Sequence, residues 1–330
     1  MCACAAAFAQ EVRPIGAANG VRAITDAFPG FDTEGESFAP ERKSPRWFSF
    51  IMGPDREDVV SQMEHCRSLE AEGNFSKAAR QYDALVREWP TSAEAPAAQL
   101  RLAEIRETED LDYEEAFYQY KYLLDFFTVQ CDYKAVSSKL YEIAGKMREE
   151  GKTILFFRFK NTIDVRRAFE AAVLRAPGAP WVPEAMLTIA DLREEEGLDS
   201  EAVKVYENLR NIYHGAPESE VACFREAVAR MRLLREHSYN KERCLDTISF
   251  LESAVKTYKG EGAETLGEYL AEARAMFEDE AYRSAKFYDG KMRTRSSAIN
   301  AYRRFLLEFP NGARAEEARS RLAELEGEGK

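Results

Sequence analysis

From residue 56 onward the apolar residues fall into a helical rhythm. Val59, Met63, Cys66 and Leu69 recur at spacings of four and three, which gathers them on one helix face. The run Glu72-Gly73-Asn74 breaks the pattern, and Phe75, Ala78, Ala79, Tyr82, Leu85, Val86 and Trp89 restart it. Two amphipathic helices joined by a short turn are predicted here. Strand signals are sparse. "TILFFRF", residues 153–159, is the one apolar β-prone run, and it fits a strand or the opening of a helix equally well.

Two interruptions set a frame. "REWPTSAEAPAAQ" at 87–99 and "LEFPNGARAEEAR" at 307–319 both place an aromatic before a proline and then restart in Ala and Glu. Measured back from Pro90, Ala78 stands at twelve, Tyr82 at eight and Trp89 at one; Pro310 gives Ala298, Tyr302 and Phe309 at the same offsets. Ala116, Tyr120 and Phe127 before Thr128, and Ala202, Tyr206 and Tyr213 before His214, repeat the frame without proline. Looser copies place Val165 and Phe169 before Pro177, and Leu251 and Tyr258 before Lys259. The six reference points lie 38, 49, 37, 45 and 51 residues apart, a period that signals stacked helix pairs.

The residue types suit that frame. A small alanine lets paired helices approach, and a tyrosine one turn later on the same face fills the gap to the next helix. Gly73 and Gly197, each seventeen residues before a reference point, suit a turn that needs φ > 0. Pro90 and Pro310 are predicted to stop the second helix of a pair, and Ser92 is a candidate N-cap for the next. The expected fold is all-α: a right-handed superhelical solenoid of about six helix pairs over residues 56–325, with 326–330 as a disordered tail.

Residues 10–55 lack the rhythm and are rich in Gly and Pro, so an irregular arm is expected. Within it "SPRWFSFIMGP" gathers Trp47, Phe48, Phe50, Ile51 and Met52. Two readings are open for this cluster: it clips onto its own helical body, or it docks on a partner or membrane surface. The start, "MCACAAAFAQ", has a small-x-small pattern before Gln10, as at the end of a signal peptide covering residues 1–9. Cys2 or Cys4 is a candidate lipid-attachment cysteine there.

The net charge of −12 sets aside a general nucleic-acid binder. The six cysteines include no C-x-x-C pair, and the three histidines, His65, His214 and His237, stand apart; neither metal ligation nor nucleophilic catalysis has a constellation. No Gly-rich phosphate loop occurs. No enzyme activity and no cofactor are expected. Charge is uneven near the end: Arg283, Lys286, Lys291, Arg293, Arg295, Arg303 and Arg304 face only Asp289 between 281 and 304. Pairing with nearby acids and docking of an acidic domain or anionic headgroups both fit. In "DYEEAFYQYKYLLDFF", residues 112–127, Tyr113, Tyr118 and Tyr122 are not needed by the frame and are candidates to line a groove.

The frame resembles the tetratricopeptide repeat. "GNFSKAARQYDALVREWPTSAEAPAAQLRLAEI" (73–105) and "RSSAINAYRRFLLEFPNGARAEEARSRLAEL" (295–325) look more specifically like the BamD-type outer-membrane assembly lipoproteins. The resemblance implies a lipidated cysteine, a periplasmic location with attachment to the inner leaflet of the outer membrane, and a non-enzymatic scaffold. Its partners would be β-barrel assembly components or unfolded clients. A periplasmic adaptor for cell-wall or polysaccharide-export machinery is the alternative. The chain departs from the family in its length, its arm and residues 150–163.

Overall fold

The computed structural model describes residues 53–150, 152–154, 157–159, 162–236, 240–290 and 294–327. The described residues fall into two compact units that divide between Glu196 and Gly197.

Among the described residues the first unit holds seven helices: α1 (Val59–Ala71), α2 (Phe75–Glu88), α3 (Ala95–Thr108), α4 (Tyr113–Phe126), α5 (Tyr133–Glu150), α6 (Thr162–Arg175) and α7 (Val182–Glu195). Each packs on its neighbours in sequence, as expected of helix pairs stacked in order. The Asp58 side chain opens α1 by accepting from the Val60 and Ser61 amides, and Ser92 Oγ accepts from the Ala95 amide at 3.2 Å where α3 begins. Such caps satisfy amides that have no partner inside the helix, at about 1 kcal/mol each.

Between α5 and α6, β1 (Lys152–Ile154) and β2 (Phe157–Phe159) pair antiparallel, Lys152 opposite Phe159 and Ile154 opposite Phe157. The ambiguous apolar run is therefore a two-stranded hairpin inserted in the third pair.

The second unit holds α8 (Asp199–Ile212), α9 (Pro217–Glu236), α10 (Lys241–Thr257), α11 (Ala263–Gly290), α12 (Arg295–Glu308) and α13 (Ala315–Gly327). One core gathers Met231, Leu234, Leu251, Leu266 and Phe277 from α9, α10 and α11. A second joins Tyr282, Ala298, Tyr302, Phe305, Ala318 and Leu325 from α11, α12 and α13. Helix α13 reaches Gly327, so residues 326 and 327, read from sequence as tail, complete its last turn.

Every reference point falls two residues past the end of a helix. These helices, α2, α4, α6, α8, α10 and α12, end at Glu88, Phe126, Arg175, Ile212, Thr257 and Glu308. The aromatic of the frame is the capping residue. Trp89, Phe127, Tyr213 and Phe309 share one backbone bend, with φ from −113° to −129° and ψ from 32° to 66°. Thr128 and His214 follow two of these bends as Pro90 and Pro310 follow the others. At these four ends the bend is shared with or without proline, whereas Tyr258 after α10 is extended (φ −75°, ψ 130°); proline marks the bend where its fixed φ is tolerated.

The frame residues are interior. Ala78, Tyr82, Ala116, Tyr120, Ala202, Tyr206, Ala298 and Tyr302 are all buried, whereas Pro90 and Pro310 are exposed. The turn position seventeen residues before the reference point is left-handed at Gly73 (φ 76°) and Gly197 (φ 75°), and also at Leu111 (φ 50°). A leucine there has no advantage of its own, so position in the repeat has overridden residue preference.

The third pair departs from the rule. Phe169 replaces the tyrosine, and a buried ionic cluster does part of the packing. Arg166 binds Glu170 and Glu196, and Arg193 binds Glu170 at 2.9 Å. Asp125 on α4 takes both forks of Arg175 on α6 at 2.8 and 2.9 Å. Tyr141 on α5 stacks on Trp181 with centroids 4.7 Å apart. Buried ion pairs add little net stability, but breaking one leaves an uncompensated charge, so they fix register.

Candidate functional site

Within the first unit a groove of about 880 Å³ lies between α3 and α5, the leading helices of the second and third pairs. Pro96, Ala97 and Leu100 wall it from α3; Ala135, Val136 and Lys139 wall it from α5; the buried Tyr120 and Leu123 of α4 close its base. Ala97 and Ala135 each stand seven residues past a reference point. At both places the groove is lined by a methyl group only.

The base is held by a carboxylate. Glu107, 4% exposed, accepts from the Tyr120 hydroxyl at 3.0 Å and from Lys146 at 2.7 Å, and pairs with Lys139 at 3.0 Å. Burial works to raise its pKa, but the lysine and tyrosine bonds outweigh burial and hold Glu107 below the usual value. The Tyr120 phenol is pushed well above its ordinary range by burial and by the Glu107 charge.

The same bracket recurs. Tyr82 on α2 donates to Glu70 on α1 at 2.5 Å, and Arg101 on α3 binds the other Glu70 oxygen at 2.7 Å. In the second unit Tyr302 on α12 donates to Asp289 on α11 at 3.2 Å, while Arg321 on α13 takes both Asp289 oxygens at 2.7 and 3.0 Å. In each case a tyrosine on the second helix and a cation on the next leading helix meet at a carboxylate ending the first helix. Arg101, Lys139 and Arg321 all lie eleven residues after their reference points. Neither Glu70 nor Glu107 stood out in the sequence, and Asp289 did so only as the lone acid of the basic segment; an acid twelve or thirteen residues before Tyr82, Tyr120 and Tyr302 was the available signal.

The polar rim of the groove is acidic. Glu104, Asp132 and Glu142 line it against a single lysine, Lys139, and that lysine already bridges Glu107 and Glu142 at 3.0 and 3.2 Å.

Of the described aromatic candidates, Tyr113, Tyr118 and Tyr122, none lines this groove. Tyr113 lies under the Lys146 ammonium at 5.3 Å, and Tyr122 stacks on Phe126 at 4.3 Å. Tyr118 is 51% exposed and meets Phe117 edge-on. The basic segment is used largely within its own unit. Arg295 donates to the Leu325 carbonyl, Arg303 pairs with Glu326 at 2.7 Å, and Arg283 pairs with Glu280 at 3.3 Å. Arg283 and Arg303 thus pair with nearby acids, one of the two readings of that segment, while Arg295 bonds a backbone carbonyl instead; Arg295 and Arg303 both reach α13. Arg304 is exposed. Arg293, Trp47, Phe48, Phe50 and Cys4 lie outside the described residues.

The described thiols are poorly set for chemistry. Burial pushes Cys66 up to about 12 and raises Cys131, Cys223 and Cys244, so all four stay protonated near neutral pH, the unreactive form. Among the described residues no three His, Cys, Asp or Glu side chains converge as metal ligands, and no helix is long and apolar enough to cross a membrane.

No protein-family description matches the chain, and no curated protein matches it. Solved structures do. The C-terminal part of a TPR repeat-containing protein from Cytophaga hutchinsonii matches at 13% identity over 80% of this chain and 88% of that one, with a TM-score of 0.30. A tetratricopeptide repeat protein from Parabacteroides merdae matches at 10% identity over 81% of this chain and 98% of that one, with a TM-score of 0.28. The chain's own stacked helix pairs, with their recurring bend and bracket, make it an all-α helical-repeat protein.

Proposed function

We propose that the chain is a non-enzymatic scaffold that holds a segment of a protein partner in the groove between α3 and α5. One observation carries this: two leading helices of consecutive pairs keep an apolar cleft open with alanines on both walls, over a base made rigid by the Tyr120–Glu107 bracket. Cleft volumes of about 300–1,000 Å³ are usual for binding sites, and helical repeats present such grooves to extended segments. Binding would need no bond chemistry, in keeping with the protonated thiols.

The finer reading places this scaffold in outer-membrane protein assembly, on the periplasmic face and anchored through Cys4. It is supported by the resemblance of residues 73–105 and 295–325 to BamD-type lipoproteins. A photo-crosslinking amino acid at Ala97, followed by purification from detergent-extracted envelopes, tests both levels. The expected product is a crosslink to a β-barrel assembly component. Crosslinks to cell-wall or polysaccharide-export proteins would keep the scaffold and refute the assembly role; no protein crosslink at all would refute the groove.

A further inference from the structure

The groove has a sign as well as a shape. Glu104, Asp132 and Glu142 stand along it. Lys139, the cation among its lining residues, is committed on both sides to Glu107 and Glu142. Arg101 bridges Glu104 at 2.7 Å and Glu70 at 2.6 Å, one cation shared between two carboxylates. The local charge is therefore negative on a chain whose net charge is −12. An acidic segment entering this cleft would meet like charge in partly desolvated surroundings, which costs affinity and slows encounter.

The apolar part limits the size of what enters. Ala97 and Leu100 on one side and Ala135 and Val136 on the other give the groove small and aliphatic walls. Small or aliphatic side chains fit there, and the carboxylates lie where a neighbouring residue of an extended segment would project. Successive side chains of such a segment point to opposite sides, so one cation beside one aliphatic residue satisfies wall and rim together.

Resting on the groove reading above, we infer that the occupant is an extended segment of a partner protein in which lysine or arginine alternates with small aliphatic residues. The rim carboxylates supply selection for the cation; Pro96, Leu100 and Val136 supply apolar contact.

The test is fluorescence anisotropy with the full chain and two labelled probes, a peptide alternating Leu and Lys and one alternating Leu and Glu. The lysine probe is expected to bind and to weaken with added salt; the glutamate probe is expected not to bind. Glu104→Gln, Asp132→Asn and Glu142→Gln each remove one charge with little change in shape, and asparagine can still cap α5. Each is expected to weaken the lysine probe about two- to fivefold, the range for a half-exposed charge pair. Equal binding of the two probes, or no change in the triple variant, overturns the inference.

Ala97→Trp separates this failure from failure of the groove itself. If it abolishes capture of the partner by a photo-crosslinking amino acid moved to Ala135 on the opposite wall, while the charge variants do nothing, the groove stands and the cation preference falls. If it also changes nothing, both fall. Two further outcomes overturn the partner assignment: a deletion of residues 41–52 that tightens the lysine probe tenfold, which makes the chain's own segment the occupant, or a dimer in solution that Ala97→Trp dissociates.

Discussion

Replacing Glu107 by alanine tests whether the bracket beneath the groove is a stability element. The carboxylate is buried and accepts from one buried phenol and two lysines whose side chains are 38% and 39% exposed. The lysines regain water when it is removed, so their two pairs are worth about 0.5 kcal/mol each after solvent screening. Tyr120 is only 2% exposed, and its orphaned hydroxyl costs about 1–3 kcal/mol. The sum predicts a loss of about 2–4 kcal/mol for Glu107→Ala. Tyr120→Phe removes the hydroxyl while Glu107 keeps its lysines, and should cost about 1 kcal/mol. With phenylalanine in place nothing is left orphaned, so the double variant should be more stable than the sum of the singles by about 1–2 kcal/mol. Urea unfolding followed by far-ultraviolet circular dichroism gives the three values. Because repeat arrays can unfold in steps, the slope must stay constant for the cycle to be read. A Glu107→Ala cost below about 0.5 kcal/mol, or strict additivity with Tyr120→Phe, would falsify the bracket as a coupled unit.

Four further outcomes are expected. Glu70, Glu107 and Asp289 are held below their ordinary values of 4.5, 4.5 and 3.8; their contribution is full above those values and drains away as acid protonates the folded carboxylates, so thermal midpoints should fall as pH drops below about 4.5. Tyr82, Tyr120 and Tyr302 are raised above 10.0, so the opposite edge lies in alkali: stability should decline as pH rises beyond about 10, and a midpoint that climbs there contradicts the burial of these phenols. Leu111→Gly relieves a left-handed leucine that is 57% exposed; the strain of about 1 kcal/mol, partly offset by glycine's freedom in the unfolded chain, leaves a net gain of about 0.5 kcal/mol in urea unfolding, and a loss would contradict the strain argument. Gly262→Ala should cost more than Gly73→Ala, since both have positive φ but only the former drives its new methyl to 2.6 Å from the Phe224 ring; equal midpoints for the two in thermal melts would rule this out.

The repeat frame was legible because packing imposes it on single residues. Ala78 and Tyr82 must be small and large to let helices close, and that demand returns at Ala116 and Tyr120, Ala202 and Tyr206, and Ala298 and Tyr302. The six reference points consequently land the same distance past six helix ends. The brackets were not legible in that way. Glu70 and Glu107 sit among other helical acids, and Arg101 and Lys139 reach them from the next helix, so nothing local marks them. Groove residues were missed for a related reason. Ala97 and Ala135 do their work by what they leave empty, and an alanine in a helix is the least conspicuous of residues. Aromatic Tyr113 and Tyr122 drew notice instead, yet they are engaged with Lys146 and Phe126. The third pair was obscure because Phe169 carries no hydroxyl and a charged cluster replaces the bracket.

The shared bend at Trp89, Phe127, Tyr213 and Phe309 makes the chain's joints interchangeable. A gene rearrangement that cuts after one of these codons and rejoins after another delivers the backbone into the next helix in the same direction. Between Trp89 and Phe127 the exchanged cassette also carries its own acid, tyrosine and incoming cation: Arg101 arrives to meet Glu70, and Glu107 is passed on to meet Lys139. Growth or shortening by that cassette keeps both its ends compatible. A lineage of such chains can therefore change length by that pair while the Glu70 and Glu107 junctions stay bonded.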